Sequence, residues 1–274
     1  MLARLRMSIA DSKKTYKELS TKVFRTSWRP WRWGWVRWTA AVGGMQSAYP
    51  AEPLEDEIRK IVSAHLQQER QQGRSTTPLK APLDASFVRC FVCATVDGQM
   101  SCERLRTYSI AEESSIEPVW TITEAGRATS AAPLYFPSLE KNGRRYYDGG
   151  MRSNNPILEA AREVKAHFNE FPVAAIVSIG NGASALKPLG NLKNVFDHFS
   201  SRVTDTEEAW EDFQKEFPDF QKISMRFQEL DKLGKIDLAA ANELDKIERI
   251  SREYLKKPKV QTQLKQCATL LLSV

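Results

Sequence analysis

The chain has 274 residues, 42% of them hydrophobic and 27% charged, which is typical of one globular domain with a substantial core, or slightly more than one. No run is long and apolar enough to span a bilayer, and residues 1–9 lack the apolar centre of a signal peptide. Four cysteines in a chain of this length give no disulfide framework, so we expect a reducing, cytoplasmic setting.

The net charge of +6 is concentrated at one end of the chain. Residues 1–38 hold ten lysines and arginines against two acidic residues, whereas the remaining 236 residues carry 30 basic and 32 acidic groups. Because the larger part of the chain is slightly acidic, the charge does not indicate general nucleic-acid binding, and no nucleic acid is expected as a partner.

Predicted helices and strands alternate along the first two thirds of the chain. Ser8 is the expected cap of the first helix, and Thr121 with Glu124 forms a capping box. Helices are predicted over residues 8–24, 52–70, 121–132, 156–168, 192–217, 236–256 and 260–272, and strands over 87–95, 105–110 and 173–179. The nearly continuous apolar strands are typical of a covered sheet, so the alternation predicts an α/β fold with a mainly parallel sheet.

Residues 25–38 are unlike the rest of the chain. Five of the seven tryptophans lie here, interleaved with arginines, and neither a helical nor a strand period fits. Tryptophan and arginine suit the headgroup layer of a membrane, and they also stack on single-stranded nucleic acid. A third interpretation, which we favour, is a segment introduced by an erroneous gene model, such as translated intron; membrane contact ranks second.

The most informative motif is Tyr147-Asp148-Gly149-Gly150. Two tyrosines are followed by an acid and two glycines. A glycine pair indicates a turn, in which the backbone either has positive φ or passes close to another group. Asn155 and Pro156 then open a helix, with Asn155 as the expected cap. Asp148 is therefore predicted at the end of a strand, where α/β folds commonly place catalytic groups. A turn aspartate that bonds its own loop amides is the structural alternative.

The flanks of this motif resemble the patatin-like phospholipase domain, in the spacing of its fungal members. The matching runs are EAGRATSAAP at 124–133, Tyr-Phe at 135–136, the Asp-Gly-Gly motif, Asn-Asn-Pro at 154–156 and VSIGNG at 177–182. The resemblance covers residues 1–25 and 49–270 and is specific over 120–182. It implies a three-layer α/β/α domain with a mainly parallel central sheet and a helical C-terminal portion. It also implies hydrolysis of lipid acyl esters by a Ser-Asp dyad, with Asp148 as the base and no metal or cofactor.

The serine partner is not found in this sequence. A nucleophile elbow needs glycine two residues before and two residues after the serine, because the strained turn leaves no room for side chains. Ser47, Ser130, Ser178 and Ser184 all fail that test. The Gly-rich loop that supplies oxyanion donors in the family is also absent, since Gly43-Gly44 follows no strand. Relative to the family, the chain is predicted to begin after the elbow.

Other candidate residues carry weaker signals. Arg127 lies in the predicted helix 121–132, which is rich in alanine and glycine, and is expected to pair with a carboxylate rather than to act in catalysis. Cys90 and Cys93 are three residues apart in a strand and point to opposite faces, and no second cysteine pair exists, so zinc is not expected. The three histidines, His65, His167 and His198, fall in separate helices with no nucleophile beside them.

The sequence thus predicts a truncated acyl-hydrolase core over 1–190, interrupted by 25–38, and a helical part of the same domain over 191–274. The expected partner is a lipid acyl ester or a membrane surface, in a cytoplasmic protein that is peripheral at membranes. Little or no ester turnover is expected from this chain alone, because the nucleophile is missing. A non-catalytic lipid-binding module, a gene-model fragment, and a parent protein with a fused signalling or repeat domain remain open alternatives.

Overall fold

The structure is a computed structural model that describes residues 2–25, 47–66, 88–99, 102–110, 119–133, 135–181, 206–228, 236 and 240–272. The chain divides into two compact units, Met1–Arg152 and Ser153–Val274. Both units contain helices and strands, so the predicted α/β class is confirmed. The Trp/Arg-rich stretch from residue 26 onward, Gly43-Gly44, Ser184, His198 and the predicted boundary at 190 lie outside the described residues.

Among the described residues of the first unit, four helices and a four-stranded sheet precede the division. Its elements are α1 (Leu2–Leu5), α2 (Ile9–Arg25), α3 (Glu52–His65), β1 (Phe91–Val96), β2 (Cys102–Arg106), α4 (Ile122–Thr129), β3 (Leu139–Lys141) and β4 (Arg144–Asp148). A further helical turn, α5 (Gly150–Ser153), follows β4 and crosses the division along the chain. The sequence missed α1 and β3, which are short and carry no periodic apolar pattern.

The helix starts follow from local side-chain chemistry. The Ser8 hydroxyl accepts the backbone N–H of Asp11 at 3.0 Å, so the predicted cap of α2 is confirmed. At the start of α4, the Thr121 hydroxyl accepts the N–H of Glu124 at 3.2 Å, and the Glu124 carboxylate accepts the N–H of Thr121 at 2.8 Å. These reciprocal bonds form the predicted capping box, which fixes where α4 begins beside the sheet.

The sheet of the first unit has the strand order β2-β1-β4-β3, and every neighbouring pair is antiparallel. Helix α4 packs on one face through small residues, as its sequence predicts. The core formed there comprises Ala94, Val96, Leu105, Trp120, Ala125, Ala128 and Tyr146. Tyr146 is fully buried, and its ring meets that of Trp120 edge to face at 4.9 Å. This packing holds the strand that ends in Asp148 against α4.

The second unit is built on a two-stranded parallel sheet. Its described elements are α6 (Ile157–His167), β5 (Ile176–Ile179), α7 (Thr206–Glu216), a 3₁₀ helix (Pro218–Ile223), β6 (Ser224–Phe227), a short 3₁₀ turn (Ala241–Glu243), α8 (Leu244–Leu255) and α9 (Pro258–Leu272). Strands β5 and β6 pair in parallel, with Ile176 opposite Ser224. One core joins α6, α7 and the 3₁₀ helix around Phe213 and Phe217, and a second joins β6 to α9 through Met225, Phe227 and Val260.

The mainly parallel sheet is borne out only in part. Among the described strands, β5 and β6 are parallel, whereas the three pairs in the first unit are antiparallel. For β3 and β4 the reason is connection length: Asn142 and Gly143 alone join the two strands, both at positive φ, and such a hairpin can only be antiparallel. Within the part of the chain that is described, no helix combines the length and apolarity that crossing a membrane requires.

Candidate active site

Asp148 is the last residue of β4, as its sequence context predicts. In the antiparallel ladder with β1, Asp148 lies opposite Ala94, and Thr95 lies opposite Tyr147. The backbone N–H of Asp148 donates to the carbonyl of Ala131 at 3.0 Å, and its carbonyl accepts the hydroxyl of Thr95 at 2.9 Å. Both backbone polar groups of Asp148 are therefore fixed, one by the segment after α4 and one by a side chain of β1.

Gly149 is required by a close approach of two backbone segments. A Cβ built on it would lie 2.2 Å from the carbonyl oxygen of Cys93 and 2.5 Å from the carbonyl carbon. Real Cβ atoms do not come that close to backbone atoms, so no residue with a side chain fits there without a shift of β1. Of the two explanations for the glycine pair, close approach is the correct one at Gly149, because positive φ among the described glycines occurs only at Gly98 and Gly143.

The carboxyl group of Asp148 lies in an environment that favours its protonated form. Burial raises the pKa of Asp148 from 3.8 to about 6, and the hydrogen bond from the N–H of Gly150 opposes that rise. That bond is short, 2.6 Å to Oδ1. Among the described residues, no lysine or arginine forms an ion pair with Asp148. A carboxylate with this pKa accepts protons more readily near neutral pH than an ordinary aspartate.

The two interpretations of Asp148, a turn aspartate that bonds its own loop and a strand-end catalytic acid, are compatible with each other. Asp148 does bond its own loop amide, at Gly150, as the structural alternative requires. The bond occupies Oδ1, and the described residues make no hydrogen bond to Oδ2. The carboxyl group is thus oriented by the loop through one oxygen while the second oxygen is available for a proton.

Ser178 is committed to a buried polar network in the second unit. It lies on β5, is 7% exposed, and its hydroxyl donates to Oδ1 of Asn155 at 3.2 Å. The same hydroxyl accepts Nη1 of Arg226 at 2.8 Å, and Arg226 in turn pairs with Glu207 at 2.9 Å. These bonds account for its burial without a catalytic role. Ser130, predicted inside a helix, is instead the C-cap of α4, which ends three residues earlier than expected.

The expected cap at Asn155 is wrong. The residue that caps α6 is Pro156, with no side-chain bond to the helix. Asn155 is buried instead, and its Nδ2 donates to the carbonyl of Thr206 at 3.0 Å. The Asn155 side chain therefore bonds to Ser178 on β5 and to Thr206 at the start of α7, and not to the end of α6 as the local sequence pattern predicts.

Arg127 pairs with a carboxylate, as expected, and is 1% exposed. Its Nε lies 3.5 Å from Glu55 on α3, and its Nη2 donates to the carbonyl of Pro137. Burial lowers the pKa of Arg127, and the Glu55 carboxylate opposes this. The guanidinium also lies 5.9 Å from the ring centroid of Phe136. Arg127 therefore links α3, α4 and the loop after α4.

Cysteines and histidines make up the next group of candidates. Cys93 is buried on β1, Cys90 lies just before that strand, and no described cysteine forms a disulfide. His65 is exposed on α3, where its ring contacts the carbonyl of Ile61 at 2.9 Å, and His167 ends α6. The described residues contain no group of three or more histidine, cysteine, aspartate or glutamate side chains placed to hold a metal ion.

Sequence reasoning did not find the residues that hold Asp148 in place. Thr95 contacts it across 53 positions of sequence, and Thr129 donates to the carbonyl of Cys93, 36 positions away, at 2.7 Å. Thr129 falls within the run EAGRATSAAP, but neither threonine's partner can be read from a short motif, because it is reached only through strand pairing and helix packing. A buried threonine within an apolar strand is the one local signal that could have drawn attention to Thr95.

Comparisons with known proteins agree on one family. A sequence model described as patatin-like phospholipase matches residues 1–161, more than half of the chain. The calcium-independent phospholipase A2-gamma of Mus musculus is 35% identical over 91 residues, which is 31% of this chain and 12% of that protein. The Homo sapiens protein is 34% identical over 91 residues, also 31% of this chain and 12% of that protein, and Phospholipase A I of Arabidopsis thaliana is 37% identical over 65 residues, 24% of this chain and 5% of that protein. The matched stretches span 12% or less of these relatives.

Proposed function

Because the chain belongs to the patatin-like phospholipase family, we propose that it carries the general base of a lipid acyl hydrolase, and that this base is Asp148. The observation that supports the assignment is the strand-end carboxyl whose pKa is raised to about 6 by burial. A surface turn aspartate has no such environment. The relatives named as phospholipases favour the acyl ester of a phospholipid as the substrate class.

The proposed chemistry uses one carboxylate directly. A serine hydroxyl is a poor nucleophile at neutral pH until a neighbouring group takes its proton. Oδ2 of Asp148 takes that proton as the serine oxygen attacks the ester carbonyl, and an acyl-enzyme forms when the alcohol departs with a proton. Water then releases the fatty acid in a second step with the same base. Oδ1 remains bonded to the N–H of Gly150, which keeps the carboxyl group oriented throughout.

We further propose that this chain alone turns over little or no ester, since no serine in it has glycine at both elbow positions. Turnover of a p-nitrophenyl ester by the purified chain tests this, together with labelling by a serine-reactive fluorophosphonate. Both should be absent. Ester turnover that Asp148→Ala abolishes would show a nucleophile we have not identified. Turnover that survives Asp148→Ala would contradict the assignment of the base.

A lipid-surface role is the second candidate, favoured by the five tryptophans and the concentration of positive charge in residues 1–38. In this role the chain would be a cytoplasmic protein that binds peripherally to membranes. The rings of Phe24 and Tyr49 meet edge to face at 5.0 Å, so a short linker can bridge a deletion of residues 26–46. Co-sedimentation with anionic vesicles should fall in this deletion variant, and equal binding by the two chains would sink the idea.

The third possibility, a gene-model fragment without an independent role, makes a different prediction. A chain of that kind should be poorly soluble or lack cooperative unfolding, because an incomplete core or an open sheet edge destabilises the folded state. A single sharp set of amide resonances from the purified chain would contradict it.

A further inference from the structure

The end of β4 pairs with β1, where Asp148 lies opposite Ala94, and it is also held by contacts outside this ladder. On one side, pairing with β3 stops at Tyr146, which lies opposite Leu139, the first residue of β3. Beyond that point the N–H of Asp148 is bound by the carbonyl of Ala131 at 3.0 Å. On the other side, the Thr95 hydroxyl binds the carbonyl of Asp148 at 2.9 Å. The orientation of the Asp148–Gly149 peptide therefore depends on the Thr95 hydroxyl as well as on the pairing of Asp148 with β1.

A second threonine binds the β1 carbonyl that lies against Gly149. The nearest obstacle to a side chain at Gly149 is the carbonyl oxygen of Cys93. That oxygen accepts the hydroxyl of Thr129 at 2.7 Å. Thr129 is the last residue of α4, so its bond ties the helix end to β1 at the point where β1 touches Gly149. The surface against which the turn rests is thereby fixed.

We propose that Thr95 and Thr129 are positioning residues for Asp148, because one hydroxyl binds the carbonyl of Asp148 and the other binds the Cys93 carbonyl that lies against Gly149, and together they fix the direction of the carboxyl group. The inference rests on the proposed function, in which Asp148 is the general base. The two threonines act through backbone atoms, so they set the orientation of the base without touching a substrate.

Valine is the informative replacement, since it keeps the branched shape and removes the hydroxyl. Thr95 is 5% exposed and packs inside the sheet, so a valine there retains most of the packing. Serine keeps the hydroxyl and loses only a methyl group. Thr107 supplies a matched control: it is 4% exposed, and its hydroxyl bonds Cys90 at 3.0 Å just outside the paired residues of the β1–β2 hairpin, at the end away from Asp148.

The experiment measures two properties of Asp148 that do not require turnover, in the full chain with Thr95→Val, Thr129→Val, Thr95→Ser and Thr107→Val. Hydrogen exchange of the Gly150 amide reports its bond to Oδ1, and a carbon NMR titration reports the carboxyl group itself. In Thr95→Val the Gly150 amide should lose protection by roughly fivefold to tenfold, the factor expected for one lost hydrogen bond. Because that hydrogen bond lowers the pKa of Asp148 and the valine keeps the burial that raises it, loss of the bond should move the pKa above about 6. Thr129→Val should change both in the same direction.

Thr95→Ser and Thr107→Val should leave both readouts near those of the unaltered chain. Equal changes in Thr95→Val and Thr107→Val would show a general loss of stability and overturn the inference, as would unchanged Gly150 exchange in Thr95→Val. These outcomes leave the proposed function untouched, because they concern how Asp148 is held. The proposed function fails by a different result, ester hydrolysis that does not depend on Asp148.

Discussion

Replacing Asp148 by asparagine should stabilise the folded chain at neutral pH. Asparagine keeps an oxygen that can accept the N–H of Gly150 and removes the charge that burial disfavours. The pKa of Asp148 rises from 3.8 to about 6 on folding, and each pKa unit corresponds to about 1.36 kcal/mol. Ionised Asp148 therefore costs the folded state up to about 3 kcal/mol above pH 7. Because the side chain is only partly buried, we expect Asp148→Asn to raise the free energy of unfolding by about 2 kcal/mol.

The sign of the pH dependence distinguishes this origin from simple repacking. A carboxyl whose pKa is higher in the folded state contributes stability that is full below 3.8 and is lost as the pH rises through about 6. The advantage of Asp148→Asn should accordingly be small near pH 4, grow up to pH 6 and level off above pH 7.

The difference in the free energy of unfolding between Asp148→Asn and the unaltered chain is measured by urea titration at several pH values. Unfolding is followed by hydrogen exchange in peptides that cover β1 and β4. Asp97→Asn, an exposed carboxylate beside the same strands, controls for the removal of charge. An asparagine variant that is less stable at pH 7, or an advantage that does not change with pH, would refute the reasoning.

Two further predictions concern the backbone turn and the buried network. Gly149→Ala should destabilise the chain by about 3 kcal/mol in urea titrations, because its Cβ meets the Cys93 carbonyl at 2.2 Å, whereas Gly126→Ala in α4 should be neutral or gain up to about 1 kcal/mol. Equal effects at the two glycines would contradict the close-approach argument. Asn155→Ala should cost about 2 kcal/mol, since it leaves the buried Ser178 hydroxyl without its acceptor. A cost within experimental error would show that water replaces the amide.

The elements with local signals were predictable. The sequence of residues 121–124 predicts a capping box, and α4 begins there. The sequence of residues 146–150 predicts a strand that ends at an acid, and β4 ends at Asp148. In both cases the physical cause lies within a few residues: a side chain that caps the helix, or a glycine that permits close packing.

The parts that failed depend on distant partners. Asn155 satisfies the local rule for a helix cap, but Thr206 and Ser178 offer its amide buried bonds that a surface cap does not have. The antiparallel sheet of the first unit was missed because β3 is only three residues long and its hairpin turn lacks an alternating apolar flank. The pKa of Asp148 could not be read from the sequence either, since burial depends on how α4 and β1 meet around it.

The most direct test of the central claim supplies the missing nucleophile. A segment with the Gly-rich loop and the Gly-x-Ser-x-Gly elbow of a patatin-like relative would be fused ahead of Met1, and hydrolysis of a phospholipid acyl ester would be measured. The account predicts that the fusion hydrolyses the ester, and that Asp148→Asn abolishes the activity while leaving the chain folded. A fusion that hydrolyses the ester equally well with Asp148→Asn would contradict the assignment of Asp148 as the general base.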